Sequence, residues 1–183
     1  MVSQLANIWK YRVADFIGGF PKFVSQGLNE NYLPVWLQEA GYNTYYTGKL
    51  FNAHTINNYN SPFPAGWTGT NFLLDPGTYS YLNPIYQRNS EPPVQHHGTH
   101  TLDLISKYAH ELLEEAISSD KPFFVAIAPV APHSNIDVNR GSGPPTMTIP
   151  IPAERHSHLF EGVKIPRTPN FNPDSVCDLS PLV

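Results

Sequence analysis

The chain is predicted to adopt an α/β fold with a mainly parallel sheet, flanking helices and long loops. Two segments, 33–47 and 102–128, each show a helical pattern followed by a short strand pattern. Consecutive helix and strand units of this kind place their strands in one open sheet. Nineteen prolines and twelve glycines interrupt regular structure, so much of the 183-residue chain is expected to be loop.

The first unit leads to a lysine. Residues 33–40 form a short helical pattern, and Gly41 stands where a left-handed residue ends a helix. Residues 42–47 alternate aromatic and β-branched side chains as a strand does, and Gly48 allows a sharp turn. Lys49 is therefore expected just beyond the carboxyl end of a strand, where α/β folds bind ligands. On local pattern alone, a solvated surface lysine is the commoner outcome.

The second unit repeats this order. Residues 102–118 predict an amphipathic helix capped by Thr101, with an apolar stripe at Ile105, Ala109, Leu112 and Ala116. Residues 121–128 are almost uniformly apolar, which is typical of a central parallel strand covered on both faces. A tight turn then brings His133 to the same edge of the sheet as Lys49.

Residues 52–93 are rich in Asn, Tyr, Gly and Pro and show little periodicity. They predict a long loop with one or two short strands around residues 79–82. Most of its aromatic residues are expected to anchor the loop to the core, with a stacking wall for a sugar or aryl group as the alternative. These residues are Tyr59, Phe63, Trp67, Phe72, Tyr79, Tyr81 and Tyr86.

Composition excludes some classes of function. A formal net charge of -4 without a run of basic residues argues against nucleic-acid or anionic-membrane binding as the main role. No stretch is long and apolar enough for a membrane span. Residues 1–13 mix polar residues into a weak amphipathic pattern, so they predict no signal peptide and leave the compartment unknown.

Several blocks in order resemble the sulfatase family. GYNTYYTGKLFN at 41–52 resembles its second signature, and KPFFVAIAPVAPHS at 121–134 resembles the block in which a buried strand ends at Pro-His. PAGWTGTNFLLD at 64–75 and HTLDLISKYA at 100–109 fall between them in the family order. IPRTPNFNPD at 165–174 is similar to the arylsulfatase and N-acetylglucosamine-6-sulfatase branch.

The resemblance implies a domain organisation. Residues 23–174 are expected to form a partial sulfatase catalytic domain of the alkaline-phosphatase-like fold. Residues 1–22 and 175–183 are expected to be divergent terminal segments, so the chain is interpreted as an internal piece of such a domain. Family members usually enter the secretory route.

The resemblance also implies site residues. Lys49 would contact sulfate ester oxygens, and His133 would face the leaving oxygen. Many sulfatases place a histidine two residues after the lysine, where this chain has Phe51; the glucosamine branch has an asparagine at the next position, matching Asn52 of this chain. His54 is a further substrate-binding candidate, although its place in a loop favours an exposed histidine without such a role.

The chemistry suits these residue types. Negative charge builds on the leaving oxygen of a sulfate ester, so fixed cations and donors stabilise the transition state. The ammonium of Lys49 carries three donors for sulfate oxygens. An imidazole at His133 can donate a hydrogen bond or a proton, and a structural histidine satisfied by a nearby carbonyl is the alternative.

Two family components are missing from the sequence. Sulfatases convert the cysteine of a Cys-x-Pro-x-Arg motif to formylglycine, but the only cysteine of this chain is Cys177, followed by DLSPLV. The family's Asp-Asp and later Asp-Asn or Asp-Gln pairs, which hold calcium, are absent too. No metal ligand is therefore predicted, apart from the weak possibility that zinc binds among His96, His97 and His100.

The functional expectation is thus a sulfuric ester hydrolase by family that is inactive on its own. Its partner would be a small sulfate ester or a sulfated sugar, with a glycosaminoglycan as a larger substrate. The alternatives are a non-catalytic remnant that binds sulfated sugars, or a gene fragment without independent function.

Overall fold

A computed structural model describes residues 18–137, 146–168 and 171. Most of both predicted divergent termini, Cys177, and part of the 165–174 block lie outside the described residues. The chain divides into two compact units, Met1–Ile151 and Pro152–Val183. The candidate site belongs to the first unit.

The first unit is built on a five-stranded sheet. Its strands are β1 (Asn43–Gly48), β2 (Gly69–Leu73), β3 (Ile85–Arg88), β4 (Val94–Gln95) and β5 (Phe123–Ala128). The order across the sheet is β4-β3-β2-β1-β5. Strand β1 runs parallel to both β2 and β5, whereas β3 and β4 join antiparallel at one side. The predicted α/β class is confirmed, and the two predicted strands are parallel neighbours in one mixed sheet.

Helices flank this sheet. They are α1 (Gly19–Ser25), α2 (Leu33–Glu39) and α3 (Thr101–Ile117), with a 3₁₀ turn at Leu28–Glu30. The predicted stripe of α3 is confirmed, because Ile105, Ala109, Leu112 and Ala116 are all buried. The cap prediction is wrong by one residue: Nδ1 of His100 accepts a hydrogen bond from the Leu102 N–H at 3.3 Å, while Thr101 is already helical. An imidazole nitrogen supplies the acceptor that a hydroxyl was expected to provide.

Two short elements complete the described chain. β6 (Asn135–Asp137) and β7 (Thr146–Thr148) form a small antiparallel sheet of their own. The second unit contains a 3₁₀ turn at Glu154–His156. Across the described ranges, no helix is long and apolar enough to cross a membrane.

Strand β5 is not covered on both faces as expected. It pairs with β1 and lies at the edge of the sheet, where Phe123 is 41% exposed and Ile127 is 50% exposed. The apolar run correctly predicted a strand. It could not predict how many neighbours that strand has, because the neighbours are distant in sequence.

The loop prediction for residues 52–93 needs correction. Strands β2 and β3 both lie within it, and residues 79–82 form turns. Every residue of β2 is buried, including the polar Thr70 and Asn71, whose presence hid the strand from a hydrophobic pattern. Phe72, Tyr81 and Tyr86 are almost fully buried, so these three do anchor the segment to the core.

Candidate active site

The backbone of Lys49 is held on both sides. Gly48 has φ +110°, and a Cβ there would lie 2.1 Å from the Ala128 carbonyl oxygen. This close approach lets the Lys49 N–H donate to the same oxygen at 3.0 Å, which joins the ends of β1 and β5. The Tyr46 hydroxyl donates to the Lys49 carbonyl at 2.5 Å. Burial raises the pKa of Tyr46 and so keeps this donor protonated.

The backbone of His133 is fixed in a similar way beyond β5. Its N–H donates to the Val130 carbonyl at 3.0 Å, and its carbonyl accepts from the buried Tyr81 hydroxyl at 2.8 Å. The Nδ1 atom lies 2.9 Å from the Ser134 carbonyl oxygen, which requires Nδ1 to carry the hydrogen. One nitrogen thus satisfies a nearby carbonyl, as the structural alternative expected. The side chain as a whole is exposed.

Tyr79 brings the two candidate residues together. The Lys49 ammonium donates to the Tyr79 hydroxyl, and its Nζ lies 4.7 Å from the centroid of the Tyr79 ring. The imidazole of His133 packs on the same ring with centroids 4.2 Å apart and an interplanar angle of 34°. Both distances are measured to the centroid of the Tyr79 ring. The distance from Lys49 Nζ to the centroid of the His133 imidazole therefore cannot exceed their sum. Their predicted convergence is therefore present, while their role on a sulfate ester stays a prediction.

Asn52 joins the same group. Its Oδ1 accepts a hydrogen bond from the Tyr79 hydroxyl at 3.2 Å. Its carbonyl accepts from the Phe20 N–H at 2.9 Å, and a Cβ on Gly19 would lie 2.0 Å from that oxygen. The start of α1 therefore packs directly on the Asn52 backbone. Three of the four predicted site residues thus surround one tyrosine.

His54 lies elsewhere. It is 0% exposed and packs against the rings of Phe20 and Phe72, with centroids 4.3 and 5.3 Å away. The expectation of an exposed loop histidine is wrong, because the aromatic residues of α1 and β2 close over it. Burial lowers the pKa of His54 to about 4. Its contact with substrate stays a prediction.

The remaining loop histidines have separate partners. His96 Nε2 lies 3.1 Å from the Tyr108 hydroxyl, and His97 Nδ1 lies 3.2 Å from Asn83 Oδ1. His100 Nε2 faces the Ile151 carbonyl at 2.9 Å. Among the residues the structure describes, no three or more His, Cys, Asp or Glu side chains come together as a metal site. Neither zinc nor the family's calcium fits the described residues, so no chemical step is derived through either.

Sequence reasoning missed the roles of three tyrosines. Tyr46 and Tyr81 each bind the backbone carbonyl of a candidate residue, and Tyr79 links the candidate side chains. Spacing along the chain carries no signal for these contacts. The run Tyr79-Ser80-Tyr81 in a turn was visible only as part of an aromatic-rich loop.

Together these residues place an ammonium, an imidazole and a side-chain amide near the carboxyl ends of adjacent parallel strands. An ammonium, an imidazole protonated on both nitrogens and a side-chain amide can donate to the oxygens of one tetrahedral anion. The class of protein is therefore an α/β domain with polar side chains gathered beyond the carboxyl ends of its parallel strands.

The comparisons with known proteins agree with this class. The sulfatase family matches residues 5–155, and the chain belongs to that family. It is 39% identical over 153 residues to an arylsulfatase of Volvox carteri and 34% identical over 153 residues to an arylsulfatase of Chlamydomonas reinhardtii. Each match covers 81% of this chain and 23% of the relative.

Two further similarities are shorter. A sulfatase, ppz1, of Metarhizium majus (strain ARSEF 297) is 36% identical over 100 residues, which are 55% of this chain and 22% of that protein. A solved structure of BT4656 in complex with its substrate D-glucosamine-2-N,6-O-disulfate is 26% identical. It has a TM-score of 0.43 and covers 55% of this chain and 18% of that one. The chain thus spans about a quarter of the length of the curated relatives it matches.

Proposed function

We propose that this chain supplies the sulfate-contacting side of a sulfatase active site, with Lys49 and His133 as the contacting residues. The observation that carries the proposal is their meeting at Tyr79, just beyond the ends of β1 and β5. Membership of the sulfatase family supports it independently. Asn52, bound to the same tyrosine, adds an amide to the site.

Each residue has a distinct chemical role in this proposal. The Lys49 ammonium attracts the sulfate group and stabilises charge on its non-bridging oxygens. His133 has its Nδ1–H bound to a carbonyl, so only an imidazolium, protonated on both nitrogens, can give a proton to the leaving oxygen, and that proton comes from Nε2. The Asn52 amide contributes a neutral donor. His54 is the weakest member of the predicted set, because it is enclosed by aromatic rings.

In this family a formylglycine would supply the attacking oxygen and acidic side chains would hold a calcium ion, but the 183-residue sequence contains neither set of residues. Cys177 stands in no Cys-x-Pro-x-Arg motif, and the acidic pairs are missing from the sequence. General-acid help is worth about 10²–10⁴-fold, whereas enzymes accelerate reactions by roughly 10⁶–10¹⁷-fold. We therefore expect this chain to bind sulfate esters weakly and to hydrolyse none by itself.

The substrate is a sulfate monoester, either of an aryl alcohol or of a sugar. The arylsulfatase relatives support the aryl class as the first probe. The exposed edge of His133 and the half-buried ring of Tyr79 offer an apolar surface that suits either kind of leaving group. A glycosaminoglycan remains within the same proposal, since its sulfated units present the same group.

The test is a binding and turnover assay with a chromogenic aryl sulfate and a 6-sulfated glucosamine, with calcium present. Lys49→Ala is compared with Lys121→Ala, which removes the same charge from an exposed position just before the edge strand β5. We expect weak binding that is lost in Lys49→Ala and kept in Lys121→Ala. Equal binding by both variants would refute the site.

The turnover assay tests the expectation that this chain does not hydrolyse sulfate esters by itself. No hydrolysis above background is expected from the unmodified chain. Hydrolysis that disappears in Lys49→Ala would show that a nucleophile lies within these residues after all. Binding without turnover is also the result that the non-catalytic, sulfated-sugar-binding role requires.

A further inference from the structure

Tyr79 is the side chain through which the candidate site residues contact one another. Its hydroxyl accepts from the Lys49 ammonium and donates to Asn52 Oδ1 at 3.2 Å. Its ring packs on the His133 imidazole, with centroids 4.2 Å apart. Lys49 and Asn52 follow β1 and lie three residues apart, His133 follows β5, and Tyr79 contacts all of them. One shared neighbour can therefore set their relative positions.

Tyr79 is itself fixed in place. Its carbonyl accepts from the Ile136 N–H at 2.9 Å, which ties it to β6. Its half-buried side chain packs against the core cluster that contains Leu73 and Tyr81. A side chain held at its backbone and along its ring is a rigid support for flexible neighbours.

The direction of the hydrogen bonds has a chemical consequence. An ammonium can only donate, so the Tyr79 oxygen accepts from Lys49 and its single hydrogen goes to Asn52. Because Oδ1 of Asn52 is the acceptor, its Nδ2 group is turned away from the tyrosine with two N–H donors. The Nδ2 group can therefore donate to an anion, whereas Oδ1, which would repel an anion, is bound to Tyr79.

The same contacts reduce the cost of binding. A lysine side chain loses rotamer freedom when it is immobilised. The bond to Tyr79 imposes much of that loss before any ligand arrives. We propose that Tyr79 is the positioning residue of the sulfate site: its hydroxyl aligns Lys49 and Asn52, and its ring aligns His133. This inference rests on the proposed function.

The test compares Tyr79→Phe, which keeps the ring and removes the hydroxyl, with Tyr79→Leu, which removes both. Tyr42→Phe is the matched control, since Tyr42 is 38% exposed and precedes β1. Sodium sulfate is titrated against each protein at constant ionic strength, and binding is followed by NMR. The His133 ring-proton shifts and the Asn52 side-chain amide signals are also recorded without sulfate. A merely structural residue would not move these signals selectively.

We expect Tyr79→Phe to weaken sulfate binding about tenfold, equivalent to one hydrogen bond to a charged group. It should shift the Asn52 amide signals and leave the ring-current shift on His133 in place. Tyr79→Leu should also abolish that ring-current shift, and Tyr42→Phe should change nothing. If Tyr79→Leu does not fold, as judged by its circular dichroism, Tyr79→Phe decides the question alone.

Failure of this inference differs from failure of the proposed function. Sulfate binding that needs Lys49 but is unchanged in both Tyr79 variants would overturn the role of Tyr79 alone. Binding that is unchanged in Lys49→Ala would overturn the proposed function. In that case the sulfate-free spectra decide about Tyr79: unmoved His133 and Asn52 signals overturn the positioning role, and selective shifts support it.

Discussion

Replacing Gly48 by alanine should be among the most damaging small changes in the chain, because it acts where β1 delivers Lys49. Gly48 has φ +110°, which costs a residue with a side chain about 1–3 kcal/mol. The new Cβ would lie 2.1 Å from the Ala128 carbonyl oxygen, so the strand ends must separate. That separation breaks the 3.0 Å bond from the Lys49 N–H, worth about a further 1–3 kcal/mol. We expect a total loss of about 2–6 kcal/mol in the free energy of unfolding.

Gly41→Ala is the matched control for this prediction. Gly41 also has a positive φ, +90°, at the other end of β1, but nothing lies within 4 Å of a Cβ built there. It should therefore show only the conformational cost, about 1–2 kcal/mol. Urea unfolding followed by circular dichroism measures both variants. Equal losses for Gly48→Ala and Gly41→Ala would refute the argument that close contact with Ala128 sets the position of Lys49.

Three further outcomes are expected. The free energy of unfolding should fall by up to about 3 kcal/mol as pH drops from about 6.5 to 4. In this range His54 takes up a proton in the unfolded chain, where its pKa is about 6.5, but not in the folded chain, where burial lowers its pKa to about 4. His54→Phe should flatten this pH dependence in urea unfolding. Leu112→Ala should lower the free energy of unfolding by about 2–5 kcal/mol in thermal unfolding, because the Leu112 side chain is 0% exposed. Ile117→Ala should lower it much less, because Ile117 is 70% exposed. The exposed edge strand β5 should make the chain self-associate, and Ile127→Lys should reduce this in sedimentation because it places a charge on that edge. The substitution should leave the free energy of unfolding unchanged, since Ile127 is 50% exposed.

The candidate site was predictable in part. Lys49 and His133 each follow a short strand with a recognisable local pattern, and that pattern depends on residues within a few positions along the chain. Their family blocks supported the same pair. Tyr79 was not predictable as their common support, because it lies 30 residues from Lys49 in an irregular loop. His54 was predicted in an exposed setting for the same reason: the rings that bury it come from α1 and β2.

The sequence by itself determined the local elements: the apolar face of α3, the two helix and strand units, and the lysine placed after Gly48. It also determined the family, because the blocks that resemble sulfatases are continuous stretches of sequence in a fixed order. Only the tertiary structure decided which strands are neighbours, that β5 lies at an edge, and that one tyrosine contacts Lys49, Asn52 and His133. Helix and strand patterns arise from interactions between residues close in sequence, whereas burial, strand order and side-chain contacts depend on residues brought together by folding.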